Sequence, residues 1–188
     1  MKTPDEASLR EAALAHLSRF AATEASLARV LYRRVDRWAR QAEAAGQEPE
    51  FIQTVARSAK AAIPKVIAAA RGLGAVDDAA FAASRARRLT RAGKSRRAAL
   101  AHLAAKGVDP ELAAETLPED AGRDLAAACA YLKRRRLPPF AEADEAARMK
   151  ALASLARAGY SRDVAERALD LDGEAAESLL LRLRQPGP

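Results

Sequence analysis

Apolar residues in this chain recur at intervals of three and four, and no stretch alternates Val, Ile, Thr or aromatic residues with polar ones. That spacing confines the fold to helices. Leu9, Ala13, Leu17 and Phe20 predict one face of a first amphipathic helix. Thr23 is placed to cap a second, whose face is Leu27, Leu31, Val35 and Trp38. After a breaker stretch from Gly46 to Pro49, a third stripe runs Ile52, Ala56, Ala59, Ile63, Val66, Ala70 and Leu73. Pro64 is expected to kink that helix or to begin a new one, because it lacks the amide the ladder needs. Gly72 and Gly74 are its stop. The abundance of Ala, Leu, Arg and Glu, all strong helix formers, agrees. With aromatics at only 4%, packing contacts should be small and closely spaced.

The helical unit then starts again. Phe81, Ala82, Ala86 and Leu89 share one side of a helix from Asp78 to Ala92, Gly93-Lys94-Ser95 breaks it, and residues 96–106 form another helix ending at Gly107. Asp109-Pro110 is an N-cap followed by proline at the first helical position, with Ala113 and Leu117 continuing that short helix. Leu17, Arg19 and Thr23 match Leu89, Arg91 and Ser95 at an offset of 72, which also brings Leu31 onto Leu103. AHLAAKGVDPELAAETL at 101–117 matches ASLARAGYSRDVAERAL at 153–169, including Gly107 with Gly159 and Leu117 with Leu169. Asp109 and Ser161 each fall two residues past their glycine, where a cap belongs. The expected architecture is all-α: three tandem three-helix, helix-turn-helix-like repeats stacked into an elongated, curved module. The repeats are expected over 1–75 (with an insertion), 76–118 and 119–172, followed by a helix and Pro-Gly-Pro tail over 173–188. Each triplet alone has too little core, and stacking supplies the rest.

Charge is polarised along the chain. The formal net charge is +7, and residues 77–107 hold eight Lys/Arg against two acids, whereas residues 108–188 hold twelve against fifteen. A basic segment of this kind favours an anionic partner. The one cysteine, Cys129, leaves no disulfide framework and no cysteine metal cluster. No run approaches membrane-spanning length and the N-terminus lacks a signal-peptide core, so a cytoplasmic protein is expected, as a monomer.

Four blocks of sequence carry a family resemblance: LSRFAATEASLARVL at 17–31, LGAVDDAAFAASRARRL at 73–89, GKSRRAALAHLAAKGV at 93–108 and LARAGYSRDVAERAL at 155–169. In order and spacing they resemble the RecX family of modulators of the recombinase RecA. The opening of the middle block, Asp77, Asp78 and Phe81 followed by a basic helix, is the most specific. The resemblance implies a non-enzymatic helical-repeat protein. It would bind the RecA filament on single-stranded DNA and restrain its ATPase, strand exchange and co-protease activity, and so act in recombination, DNA repair and the SOS response. It implies neither cofactor nor metal.

Two basic clusters are the candidate contacts. On the helix from Asp78 to Ala92, Arg87, Arg88 and Arg91 fall within about 100° of one another, with Arg85 on the same helix. No acid stands three or four residues away to offset them. Lys94, Arg96 and Arg97 extend the positive charge across the turn. Guanidinium forks suit phosphates of single-stranded or duplex DNA and carboxylates of an acidic protein surface alike, and the sequence does not choose. Lys133, Arg134, Arg135 and Arg136 form the second cluster at a helix C-terminus, where favourable interaction with the helix dipole explains them equally well.

Other readings are weaker. Gly93-Lys94-Ser95 is not a phosphate loop, since Arg88 stands where its first glycine would be and no strand precedes it. His16 and His102 have no second ligand at metal spacing. Asp77 and Asp78 are placed to cap a helix rather than to hold a metal. Trp38, Tyr32, Tyr131 and Tyr160 are expected to pack rather than stack on bases. The competing function is a helix-turn-helix transcription regulator, which short turns such as 93–95 and 107–109 would suit. No arrangement places a nucleophile beside a base, so an enzyme is not expected.

Overall fold

The computed structural model describes residues 2–142 and 144–184, the last of these by its backbone alone. Ten α-helices and no strand occur among the described residues. They follow as triplets, α1 (Glu6–Leu17), α2 (Glu24–Ala44) and α3 (Pro49–Gly72), then α4 (Asp78–Arg91), α5 (Arg96–Lys106) and α6 (Pro110–Thr116), then α7 (Ala121–Arg135), α8 (Glu145–Ala158) and α9 (Arg162–Asp170). A last helix, α10 (Gly173–Arg184), precedes the Pro-Gly-Pro tail, which lies outside the described residues.

The caps are where the sequence puts them. Thr23 accepts from the Ser26 amide, Asp109 from the Glu111 and Leu112 amides, and Ser161 from the Val164 amide. Asp77 accepts from the Ala80 amide at 2.8 Å, so it caps α4. Three expectations change. Pro64 starts no new helix, since α3 runs from Pro49 to Gly72 through it. Phe20, 57% exposed, and Leu73, 76% exposed, lie past the ends of α1 and α3 and leave the apolar stripes to which periodicity assigns them. Tyr32, at 38% exposed, is a surface residue rather than a packing one.

The chain divides into two compact units, residues 1–81 with 106–108, and residues 82–105 with 109–188. In the first, α2 and α1 both pack on α3 around Leu9, Leu27, Leu31, Val35, Ile63 and Val66. In the second, α7 is buried on nearly every side, with Ala127, Ala128, Cys129 and Leu132 fully covered as α9 and α10 pack on it. Burial pushes the Cys129 thiol up to about 11, which keeps it protonated and inert at neutral pH.

The sequence repeat has a physical counterpart. In the first unit the Thr23 hydroxyl donates to the Lys106 carbonyl at 2.6 Å, and the Glu24 amide donates to the Asp78 carboxylate at 2.9 Å. In the second unit the Ser95 hydroxyl donates to the Ala158 carbonyl at 2.9 Å, and the Arg96 amide donates to the Asp124 carboxylate at 2.9 Å. The same joint is therefore built twice: a capping hydroxyl closes the last carbonyls of another helix, and a first-turn carboxylate closes the amide next to the cap. Gly107 and Gly159 complete it at φ +85° and +91°, in the left-handed region. A Cβ at Gly107 would come within 2.4 Å of the Ala25 Cβ, and one at Gly159 within 2.9 Å of the Ser95 Oγ. Thr23 and Ser95, which align at an offset of 72, and Gly107 and Gly159, which align at 52, are working parts of this joint.

Candidate partner-binding surface

On α4 the chain separates a packed side from a solvent side. Ala82, Ala86 and Thr90 are buried, and the Thr90 hydroxyl is satisfied by the Ala86 carbonyl at 3.0 Å. Arg87, Arg88 and Arg91 are exposed, and among the described residues none of them meets a carboxylate. The helix closes at Gly93, whose amide donates to the Thr90 carbonyl while the Lys94 amide reaches back to Leu89. Lys94 is exposed on that turn. Arg97 is exposed too, its guanidinium lying over Gly159.

Two other candidates of the same stretch are occupied within the protein. Arg85 is half-buried and its Nε donates to the His102 Nε2 at 2.8 Å. Arg96 is half-buried, with its Nε on the Leu117 carbonyl at 2.7 Å and its guanidinium 3.7 Å from Glu119. It closes the end of α6, where a C-terminal carbonyl would otherwise lack a donor.

The second cluster is used in the same way. Lys133 pairs with Glu177 on α10 and stands over the Phe140 ring. Arg134 donates to the Ala92 carbonyl at 2.7 Å, beyond the end of α4. Arg135 lies over the Tyr131 ring, 4.7 Å from its centroid. Arg136 is exposed at the C-cap of α7 with φ 52°. The Tyr131 ring that carries Arg135 is itself fixed, its hydroxyl within 2.9 Å of the Ser154 Oγ.

A further basic surface lies in the first unit, and a search of the sequence for contiguous basic runs misses it. Arg29, Arg33, Arg37 and Arg40 stand on α2 at spacings of four, four and three, all exposed. That is the helical period, so they share a face. Among the described residues neither Arg37 nor Arg40 meets a carboxylate, and nearby Asp36 is taken by Lys60 at 2.7 Å.

Among the described residues no group of His, Cys, Asp and Glu could hold a metal ion, and no helix is long and apolar enough to cross a membrane. The chemistry available is ionic and guanidinium-based: several Arg forks presented to solvent on rigid helices, capable of bidentate bonds to phosphate or carboxylate.

Comparison with known proteins gives this arrangement its family. Residues 77–117, the segment from the α4 cap to the end of α6, match the second three-helix domain of RecX. The regulatory protein RecX of Myxococcus xanthus (strain DK1622) is 34% identical over 168 residues, covering 86% of this chain and 84% of that protein. That of Agrobacterium fabrum is 34% identical over 113 residues, covering 59% of this chain and 60% of the relative. The crystal structure of RecX from Lactobacillus salivarius superposes with a TM-score of 0.57 over 87% of this chain and 94% of that one, at 16% identity, which speaks to the fold. The length of the shared alignment and its level of identity make this chain a member of the RecX family.

Proposed function

We propose that this protein is a non-catalytic regulator of RecA that acts in the cytoplasm as a monomer, binding the RecA filament on single-stranded DNA and restraining its ATPase, strand exchange and co-protease activity. Family membership supports a RecX-type regulatory role. The observation that carries the mode of action is the α4 face, where Arg87, Arg88 and Arg91 stand exposed without carboxylate partners among the described residues. Leaving three guanidinium groups uncompensated on one helix costs little in water and keeps them ready for an anionic polymer. Lys94 and Arg97 continue that surface past the turn. Arg85 and Arg96 serve it indirectly, by holding α4 and α5 in place through His102 and Leu117. In the same reading the chain works as three helical repeats, over 1–75, 76–118 and 119–172, with 173–188 as an appendage.

The test is RecA ATPase on single-stranded DNA, followed as this protein is added up to stoichiometric amounts, together with co-sedimentation on the filament. Inhibition with co-sedimentation is the expected result. Unchanged ATPase and strand exchange at excess protein would overturn the proposal. A footprint on one duplex sequence, with discrimination of about 10³-fold or more over random DNA, would point instead to a transcription regulator.

A further inference from the structure

A groove of about 390 Å³ runs along α4 in the second unit, and its walls combine two chemistries. Its rim is four arginines, Arg87 and Arg91 on α4, Arg123 on α7 and Arg182 on α10, and among the described residues no carboxylate lines it. Its floor is apolar, with Ala83, Ala86, Leu117 and Leu183. The polar atoms between rim and floor are already used: the Thr90 hydroxyl donates to the Ala86 carbonyl and the Thr116 hydroxyl to the Leu112 carbonyl at 2.7 Å. Of the four rim arginines only Arg123 has an acidic neighbour among the described residues, Asp120 at 3.5 Å. The stretch of α4 from Ala83 to Arg91 is about 12 Å long, two turns of a helix laid beside it.

We infer that this groove receives an acidic, amphipathic protein segment, its carboxylates on the four guanidinium forks and one or two aliphatic side chains on the alanine and leucine floor. Charge complementarity selects the acid, since among the described residues every ionisable side chain lining the groove is an arginine. The apolar floor selects a polypeptide over nucleic acid. Single strands are held on aromatic platforms as well as by cations, and no aromatic residue lines this groove among those described. The small side chains of Ala83 and Ala86 leave room for a branched side chain to enter, as in other helix-in-groove contacts. The inference rests on the proposed function, because it makes the anion met by Arg87 and Arg91 a carboxylate of the protein partner.

The experiment uses the full chain, short fluorescein-labelled peptides tiling the sequence of RecA, and a labelled oligothymidylate, with binding read by anisotropy. Filament co-sedimentation runs in parallel. Peptides that carry both acidic and aliphatic residues should bind more tightly than the oligothymidylate. Replacing their aliphatic residues with serine should weaken them as clearly as replacing their acids. Arg182→Glu, on the α10 side of the groove, should weaken the peptides at least tenfold, and Arg182→Lys should weaken them less. Circular dichroism checks the fold of both, and the lysine variant decides the matter if the glutamate one unfolds. Filament binding without any peptide binding, tighter binding of the oligothymidylate, equal peptide binding by a folded Arg182→Glu protein, or indifference to the serine replacements would each overturn the groove while the RecA reading stands. Absence of both filament and peptide binding would overturn the two together.

Discussion

The α4 cluster and the α7 cluster look alike in sequence and differ in what the fold does with them. Arg87, Arg88 and Arg91 point to solvent with no carboxylate partner among the described residues. Lys133, Arg134 and Arg135 are each spoken for: by Glu177, by the Ala92 carbonyl and by the Tyr131 ring. The difference does not come from position in the helix, since Arg88 and Arg91 stand in the last turn of α4 just as Lys133, Arg134 and Arg135 stand in the last turn of α7. It comes from what lies within reach: Glu177 of α10, the Ala92 carbonyl and the Tyr131 ring surround the α7 cluster, and no such partner meets the α4 arginines among the described residues. Charge that ties the fold together and charge left open to solvent are therefore separated by surroundings, and net charge alone does not distinguish them.

Single substitutions probe that division between structural and open charge. The largest effect on stability is expected from Arg96→Ala, which removes the bond to Leu117 from a half-buried site. Hydrogen bonds from charged donors are worth about 1.5–3 kcal/mol, so urea unfolding should show a loss of about 2 kcal/mol. Lost binding at full stability would move Arg96 into the contact surface. Arg134→Ala should cost about 1 kcal/mol by the same measurement, less because the pair is exposed. Asp120 supplies a pH test. The Arg123 amide donates to its carboxylate and the Arg123 guanidinium lies beside it, and together they hold the carboxyl below the ordinary 3.8. A folded value below the unfolded one means that the stabilisation is present above pH 3.8 and is lost as pH falls through the lowered value. Thermal melts between about pH 5 and pH 3 should decline more steeply for wild type than for Asp120→Asn, by under about 1 kcal/mol after solvent screening. Smallest of all is Lys133→Ala, an exposed pair expected to change stability by less than about 0.5 kcal/mol.

Helices and caps are legible in the sequence because their causes are local. Thr23, Asp109 and Ser161 mark the ends that they cap, and spacing of three and four marks the faces. Phe20 and Leu73 escape such a reading because periodicity does not say where a helix stops, and Tyr32 because it says which side a residue lies on and not whether anything covers that side. Candidate site residues divide for the same reason. Nothing near Arg96 in sequence reveals Leu117 and Asp124, which arrive from later segments of the chain. The α2 stripe of Arg29, Arg33, Arg37 and Arg40 is readable at helical spacing, and only the habit of looking for contiguous charge passes over it. The repeat shows the opposite case: weak identities at two offsets mark Thr23, Ser95, Gly107 and Gly159, the parts of a joint made twice.

If the open arginines of α4 meet the partner, removing them together should separate binding from folding. Arg87→Ala, Arg88→Ala and Arg91→Ala combined should leave the melting temperature unchanged or slightly raised, since alanine is the better helix former. Equilibrium binding to the RecA filament on single-stranded DNA should weaken by about 100-fold, which corresponds to about 1 kcal/mol for each lost contact. Wild-type affinity in the folded triple variant would return those three side chains to an ordinary solvated surface and leave the proposed contact without its residues.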